Sequence, residues 1–189
     1  SGRILVTNSH HNSFTLADHA IAMMMALSRG LDLYSQMKLS GKLDQRAVPS
    51  ERLWQIQGRT MLVVGLGGIG TQVAEIAHNL GMKVIATRNS SREGPAFVDY
   101  VGLADETETL LAQADVVMVC TPLTKETDGM WNAEMFSHMQ KGAFFINIAR
   151  GKEVVIEDLV AALKSGQVGA AGLDGMEPEL VADGAPIFS

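Results

Sequence analysis

Gly65, Gly67 and Gly70 stand in the spacing G-x-G-x-x-G within VVGLGGIG. The triplet follows a strand-like apolar run and opens a helix-like stretch, the context in which this spacing is informative. The chemistry such a loop performs is the cradling of a pyrophosphate. Gly65 permits a tight turn, Gly67 lets the backbone approach the phosphates, and Gly70 allows close packing of helix on strand. Gly68 and Ile69 complete the loop, and the helix N-terminus adds N–H donors and the positive end of a dipole. Eighteen residues beyond Gly70, the stretch VIATRNSS brings in Arg88. A strand in this place usually ends in an acid that grips a ribose hydroxyl. An arginine instead offers a planar fork to a 2′-phosphate. Asn89, Ser90 and Ser91 add small donors and Arg92 a second positive charge. The pattern favours NADP over NAD, with a solvated loop arginine as the plain alternative.

Three further stretches carry polar residues just past strand-like runs: CTPLTKET (120–127), NIARG (147–151) and LDGMEPE (173–179). Ligand sites of open α/β sheets form beyond the carboxyl ends of the strands.

The elements that must position these residues are legible as a rhythm. Apolar runs of four to six residues (MLVVG at 61–65, KVIAT at 83–87, VVMVC at 116–120, FFINI at 144–148, AAGLD at 170–174, and a weaker VDYVGL at 98–103) alternate with helical patterns. Those patterns lie at about 69–80, 106–114, 132–139 and 156–165. Runs apolar at every position suggest strands buried on both faces. Asp105 with Glu108 resembles a capping box, and Gly166 stands where a helix C-cap glycine would. Strand–helix alternation predicts an α/β fold, a doubly wound parallel sheet of the Rossmann dinucleotide-binding type. Ahead of it, Ile4–Thr7 reads as a short strand. Leu16, Ala20, Met23, Leu27, Leu31 and Tyr34 mark a helix over 15–38, and a connector of mixed polarity fills 40–58. No internal repeat is present.

Composition narrows the functions. The chain has 189 residues, 47% hydrophobic, and a net charge of −6 with no basic run longer than two residues. Nucleic acid and anionic membrane are therefore not expected partners. The longest apolar run, AIAMMMAL at 20–27, is too short to span a bilayer. Cys120 is the only cysteine, so no internal disulfide forms, which fits a reducing, cytoplasmic setting. No metal site is expected. The chain lacks an initiator Met and stops after an apolar pair, and so reads as a piece of a longer protein.

Taken together, VTN, LADHAIAMMMALSR, GLGGIG, GMKVIA, ADVVMVCTPLTKET, GAFFINIARG and LVAALKSGQVGAAGLD resemble the NAD(P)-binding domain of the D-isomer-specific 2-hydroxyacid dehydrogenases. The resemblance covers nearly the whole chain. It implies one dinucleotide-binding domain over 1–189, with 8–58 as interdomain helix and connector. The separate substrate domain is missing. It implies hydride transfer between NAD(P)H and a small 2-keto acid of the glyoxylate or hydroxypyruvate type, and a homodimer. Arg150 would be the catalytic arginine that holds the substrate carboxylate or carbonyl oxygen. Thr121, Pro122, Thr127, Ile148, Ala149 and Arg150 would line the cofactor, and Asp174 would accept the nicotinamide carboxamide N–H. Glu179, five residues after Asp174, would hold a histidine and keep its proton available. This chain departs from the family by Gly175-Met176 after the aspartate and Leu180 after the glutamate, which leaves Glu177 as a rival. None of His10, His11, His19, His78 and His138 matches the family's catalytic histidine. The isolated chain is thus expected to bind a dinucleotide but to turn over poorly. Two other readings stand beside the enzyme. One is a dinucleotide-sensing, corepressor-like scaffold. The other is a methyl-donor nucleoside domain, against which Arg88 and NIARG speak.

Overall fold

A computed structural model describes residues 13–42, 44, 48–50 and 53–175. The five main apolar runs and the weaker sixth become six strands: β1 (Thr60–Val64), β2 (Lys83–Arg88), β3 (Tyr100–Leu103), β4 (Val116–Val119), β5 (Ala143–Asn147) and β6 (Val168–Leu173). They form one sheet in the order β3-β2-β1-β4-β5-β6, and every pairing is parallel. Alternate strand residues serve opposite faces. Met61 and Val63 join one buried cluster, and Leu62 and Val64 the other. Both faces are covered, so neither needs polar residues. That is why the strands read as unbroken apolar runs.

One face is covered by α1 (Ser13–Ser28) and α3 (Gly68–Asn79), and Ala17 and Ala20 share a cluster with Ala74 and Ala77. Small side chains let these two helices lie close together. The other face carries α4 (Thr107–Leu111), α5 (Ala133–His138) and α6 (Ile156–Ser165). Trp131, Phe136 and Phe145 stack there with centroids 4.9–6.3 Å apart. The N-cap of α5 is Asn132, whose Oδ1 accepts from the N–H groups of Glu134 and Met135. Gly166, at φ 73°, ends α6 in the left-handed conformation that the sequence predicts.

Two sequence expectations are corrected. The helix over 15–38 breaks into α1 and α2 (Leu31–Ser40) at Gly30, whose φ of 64° lies in the left-handed region. The expected stripe is also displaced. Ala17, Ala20, Ile21, Met24 and Leu27 are buried, whereas Leu31 is exposed and α2 buries no residue. The capping box of Asp105 and Glu108 does not form. A 3-10 turn, Ala104–Glu106, precedes α4, and the Glu106 carboxylate accepts from the Leu103 N–H at 2.8 Å. Glu108 instead faces His138 at 3.6 Å. The Ile4–Thr7 strand lies outside the described residues.

Candidate cofactor-binding site

β1 lies between β2 and β4, so the chain crosses over to opposite sides of it and leaves a crevice at the strand ends. The glycine loop sits there. Gly65 adopts φ 98°, and the N–H groups of Gly65 and Leu66 both donate to the Thr87 carbonyl, at 3.2 and 2.9 Å. A Cβ on Gly65 would stand 3.0 Å from the Cys120 and Thr121 backbone. A Cβ on Gly70 would stand 2.2 Å from the Gly65 carbonyl oxygen. Gly67 has nothing within 4 Å of a Cβ, and it is the N-cap of α3 with no side chain to cap it. The first-turn N–H groups at Gly68, Ile69 and Gly70 have no intrahelical partner, so they remain for a ligand. The cradle fits a pyrophosphate: free donors, a positive helix end and space kept by an absent side chain.

Two cavities flank this loop, of about 620 and 730 Å³. Leu66, Gly67 and Arg88 belong to both. Arg88 is the last residue of β2, half-buried, with its guanidinium donating to the Glu93 carbonyl at 2.9 Å. Asn89 and Ser90 are exposed and line the smaller cavity. Arg92 does not add a free charge beside them. It is paired with Glu106 at 2.6 Å and donates to the Tyr100 hydroxyl. The Tyr100 hydroxyl and the Leu103 N–H, with Arg92, hold the Glu106 carboxyl below the usual range.

Thr121, Pro122 and Thr127 line the same smaller cavity past β4. Thr127 is tied inward, donating to the Pro122 carbonyl and accepting from the Thr124 N–H, both at 2.8 Å. Ile148 and Ala149 are buried in opposite core clusters, so only their backbone is available to a ligand. Asp174 follows β6, and its N–H donates to the Asn147 carbonyl at 2.8 Å. Arg150 is exposed, and among the described residues its guanidinium bonds only the Ala149 carbonyl, at 2.9 Å. Glu179 and its rival Glu177 lie outside the described residues, as do His10 and His11.

Two residues of this region escape the sequence reading. Asn147, buried at the end of β5, accepts from the Ala149 N–H at 2.8 Å and donates to the Arg150 carbonyl at 3.0 Å. It therefore holds the bend that presents Arg150. A polar residue closing the apolar run FFIN is the only local signal of it. Asn147→Ala removes both bonds and orphans two backbone groups. It is expected to cost about 2–4 kcal/mol, a fall in Tm of roughly 4–16 °C at this chain length, read by thermal melting.

The second is Glu153, which is wholly buried. One carboxylate oxygen accepts the Thr121 hydroxyl at 2.5 Å; the other has no partner among the described residues. Burial pushes this carboxyl above its usual range, against the opposing pull of the Thr121 hydroxyl and the Arg150 charge. Burial, with the Glu153 charge, pushes the Cys120 thiol up to about 12. Cys120 is therefore protonated and is no nucleophile at neutral pH. Among the described residues no group of three His, Cys, Asp or Glu could hold a metal, and no helix is long and apolar enough to cross a membrane.

Sheet order, glycine cradle and crevice define a dinucleotide-binding domain. The family description "D-isomer specific 2-hydroxyacid dehydrogenase, NAD binding domain" matches residues 21–189, and the chain belongs to that family. It is 35% identical over 185 residues to a glycerate dehydrogenase of Methylorubrum extorquens, covering 96% of this chain and 56% of that protein. It is 35% identical over 170 residues to a glyoxylate reductase of Pyrococcus furiosus, covering 86% and 49%. A solved glyoxylate reductase from Paecilomyes thermophila superposes with a TM-score of 0.81 at 28% identity, over 97% of this chain and 54% of that one. The chain thus spans about half the length of the curated relatives it matches.

Proposed function

We propose that this chain is the cofactor domain of an enzyme that transfers a hydride between NAD(P)H and a small 2-keto acid of the glyoxylate or hydroxypyruvate type, with NADP preferred. The observation that carries the reading is Arg150. It projects past β5 on a bend held by a buried asparagine, with a guanidinium otherwise committed to one backbone carbonyl. When bound, the dinucleotide supplies the hydride. Arg150 would pair with the substrate carboxylate and polarise the carbonyl that receives it. The α3 N-terminus would hold the pyrophosphate, Thr121, Pro122 and Thr127 the sugar-phosphate, and Asp174 the carboxamide. Glu179 would hold a histidine and keep its proton available. The names of the glycerate dehydrogenase and glyoxylate reductase relatives support the substrate class. They do not favour the scaffold alternative.

A cytoplasmic homodimer belongs to the same reading. The exposed Phe14, Met25 and Leu31 of α1 and α2 support a partner surface there. The preference for NADP rests on Arg88 and the absence of an acid at the end of β2. Titration with NADPH and with NADH, followed by nicotinamide fluorescence, tests it. NADPH is expected to bind more tightly, and Arg88→Ala to weaken NADPH about tenfold, the scale of one charge-assisted contact, while leaving NADH nearly unchanged. Equal affinities, or a mutation without effect, would return the site to NAD or to dual use.

A further inference from the structure

The sugar-phosphate side of the crevice contains a carboxylate with no part in the chemistry above. Glu153 belongs to the turn after β5, behind the cavity wall. Its backbone carbonyl accepts the Trp131 N–H at 2.9 Å, so the turn is pinned to the neighbouring segment. A fully buried acid with one oxygen unpartnered is costly. Its other oxygen engages the one cavity-lining hydroxyl at the end of β4, Thr121. We propose that Glu153 is a positioning residue that makes the Thr121 hydroxyl a hydrogen-bond acceptor for a sugar hydroxyl of the bound dinucleotide.

The chemistry follows from counting protons. A threonine hydroxyl has one proton to give and two lone pairs. Here the proton points at Glu153. What Thr121 then presents to the crevice is a lone pair, so its ligand partner must be a donor. Phosphate oxygens cannot be that partner. Ribose hydroxyls can. Thr121 lines the same cavity as Arg88, Asn89 and Ser90, so a ribose hydroxyl seated in that cavity is the donor that its chemistry asks for. A proton on Glu153 reverses the arrangement: the acid donates to Thr121, and Thr121 must turn its own O–H toward the crevice. The titratable and charged groups around Glu153 are Cys120, which stays protonated, and Arg150, whose charge favours the ionised form. Lys152 of the same turn is exposed.

This inference rests on reading the crevice as a dinucleotide site, and the test separates the two. NADH, which lacks a 2′-phosphate, is titrated by fluorescence at pH 8.5 in the chain and in Glu153→Gln, Glu153→Leu, Thr121→Val, Thr121→Ser and the Thr121→Val/Glu153→Leu pair. The amide oxygen of Gln accepts the Thr121 proton as the carboxylate does. Glu153→Gln is therefore expected to keep the parent's affinity. Glu153→Leu and Thr121→Val are expected to bind about fivefold more weakly, the scale of one hydrogen bond. Thr121→Ser should rescue, and the pair should be no weaker than either single change. A Gln variant as weak as Leu, or additive losses in the pair, would overturn the role of Glu153. Failure of the parent chain to bind NADH would overturn the proposed function instead.

Discussion

Gly67→Ala is expected to weaken dinucleotide binding while leaving the fold intact, and Gly70→Ala to unsettle the fold itself. The two residues share one loop and differ in what a methyl group would meet. At Gly67 the backbone, φ −92°, suits any residue, and a Cβ meets nothing within 4 Å. The space it would fill belongs to the flanking cavities. A methyl there blocks the approach of phosphate oxygens. A clash of roughly 1–3 kcal/mol is a loss of about 5- to 150-fold in affinity, with Tm unchanged. At Gly70 helix propensity alone favours alanine by about 1 kcal/mol. The Cβ would nevertheless stand 2.2 Å from the Gly65 carbonyl oxygen and 3.1 Å from Val63 Cγ1. The nearest of these is backbone, so the loop or the helix must shift. The expected net cost is about 3 kcal/mol, or roughly 6–12 °C in Tm. Melting curves and NADH titrations on both variants decide the matter. A Gly70→Ala protein that melts at or above the parent would refute the close-packing role.

Glu153→Gln is expected to raise stability at neutral and alkaline pH and to bring no gain in acid. The folded state holds the Glu153 carboxyl above its usual range, chiefly through burial. The folded protein therefore binds that proton more tightly than the unfolded chain does. The stability this contributes is complete below the unfolded value and is lost as pH rises through the folded one. Gln has the same shape and no charge to keep out of water. Subtracting the parent's melting temperature from the variant's cancels the other acids, and the difference should grow as pH rises above the ordinary carboxyl range. Because the Gln amide leaves its own NH2 at the buried position where the unpartnered oxygen stood, only the cost of the charge is relieved, about 1 kcal/mol on the scale of one buried polar group, or roughly 2–4 °C. A difference independent of pH would mean that the carboxyl titrates alike in both states. Loss of stability in the variant at pH 8 would mean that the charge is held by more than Thr121.

The fold was legible because the strands are buried on both faces. MLVV and VVMV have no polar position to confuse with a helix, and the glycine loop falls between a strand and a helix as its spacing requires. The break at Gly30 was not legible, since an isolated glycine within a helical pattern is tolerated as often as it interrupts. Only its left-handed backbone decides. Glu106 rather than Glu108 receives the Leu103 N–H because the 3-10 turn begins before α4 does. Within the site, Arg88 and Arg150 announced themselves as charges at strand ends. Arg92 looked equally free, but its partner Glu106 stands across β3. Glu153 was hidden for the same reason. KEVV reads as a polar turn, and the hydroxyl that engages its carboxylate lies 32 residues earlier in the chain.

The Thr87 carbonyl, which takes both loop N–H groups, has a consequence for recognition. It fastens the phosphate cradle to the residue immediately before Arg88. On the function proposed above, the place for the pyrophosphate and the place for the ribose 2′ position are two marks on one short ruler, set by a single peptide oxygen. Because the ruler is assembled without the ligand, little conformational freedom is left to lose when both marks are met.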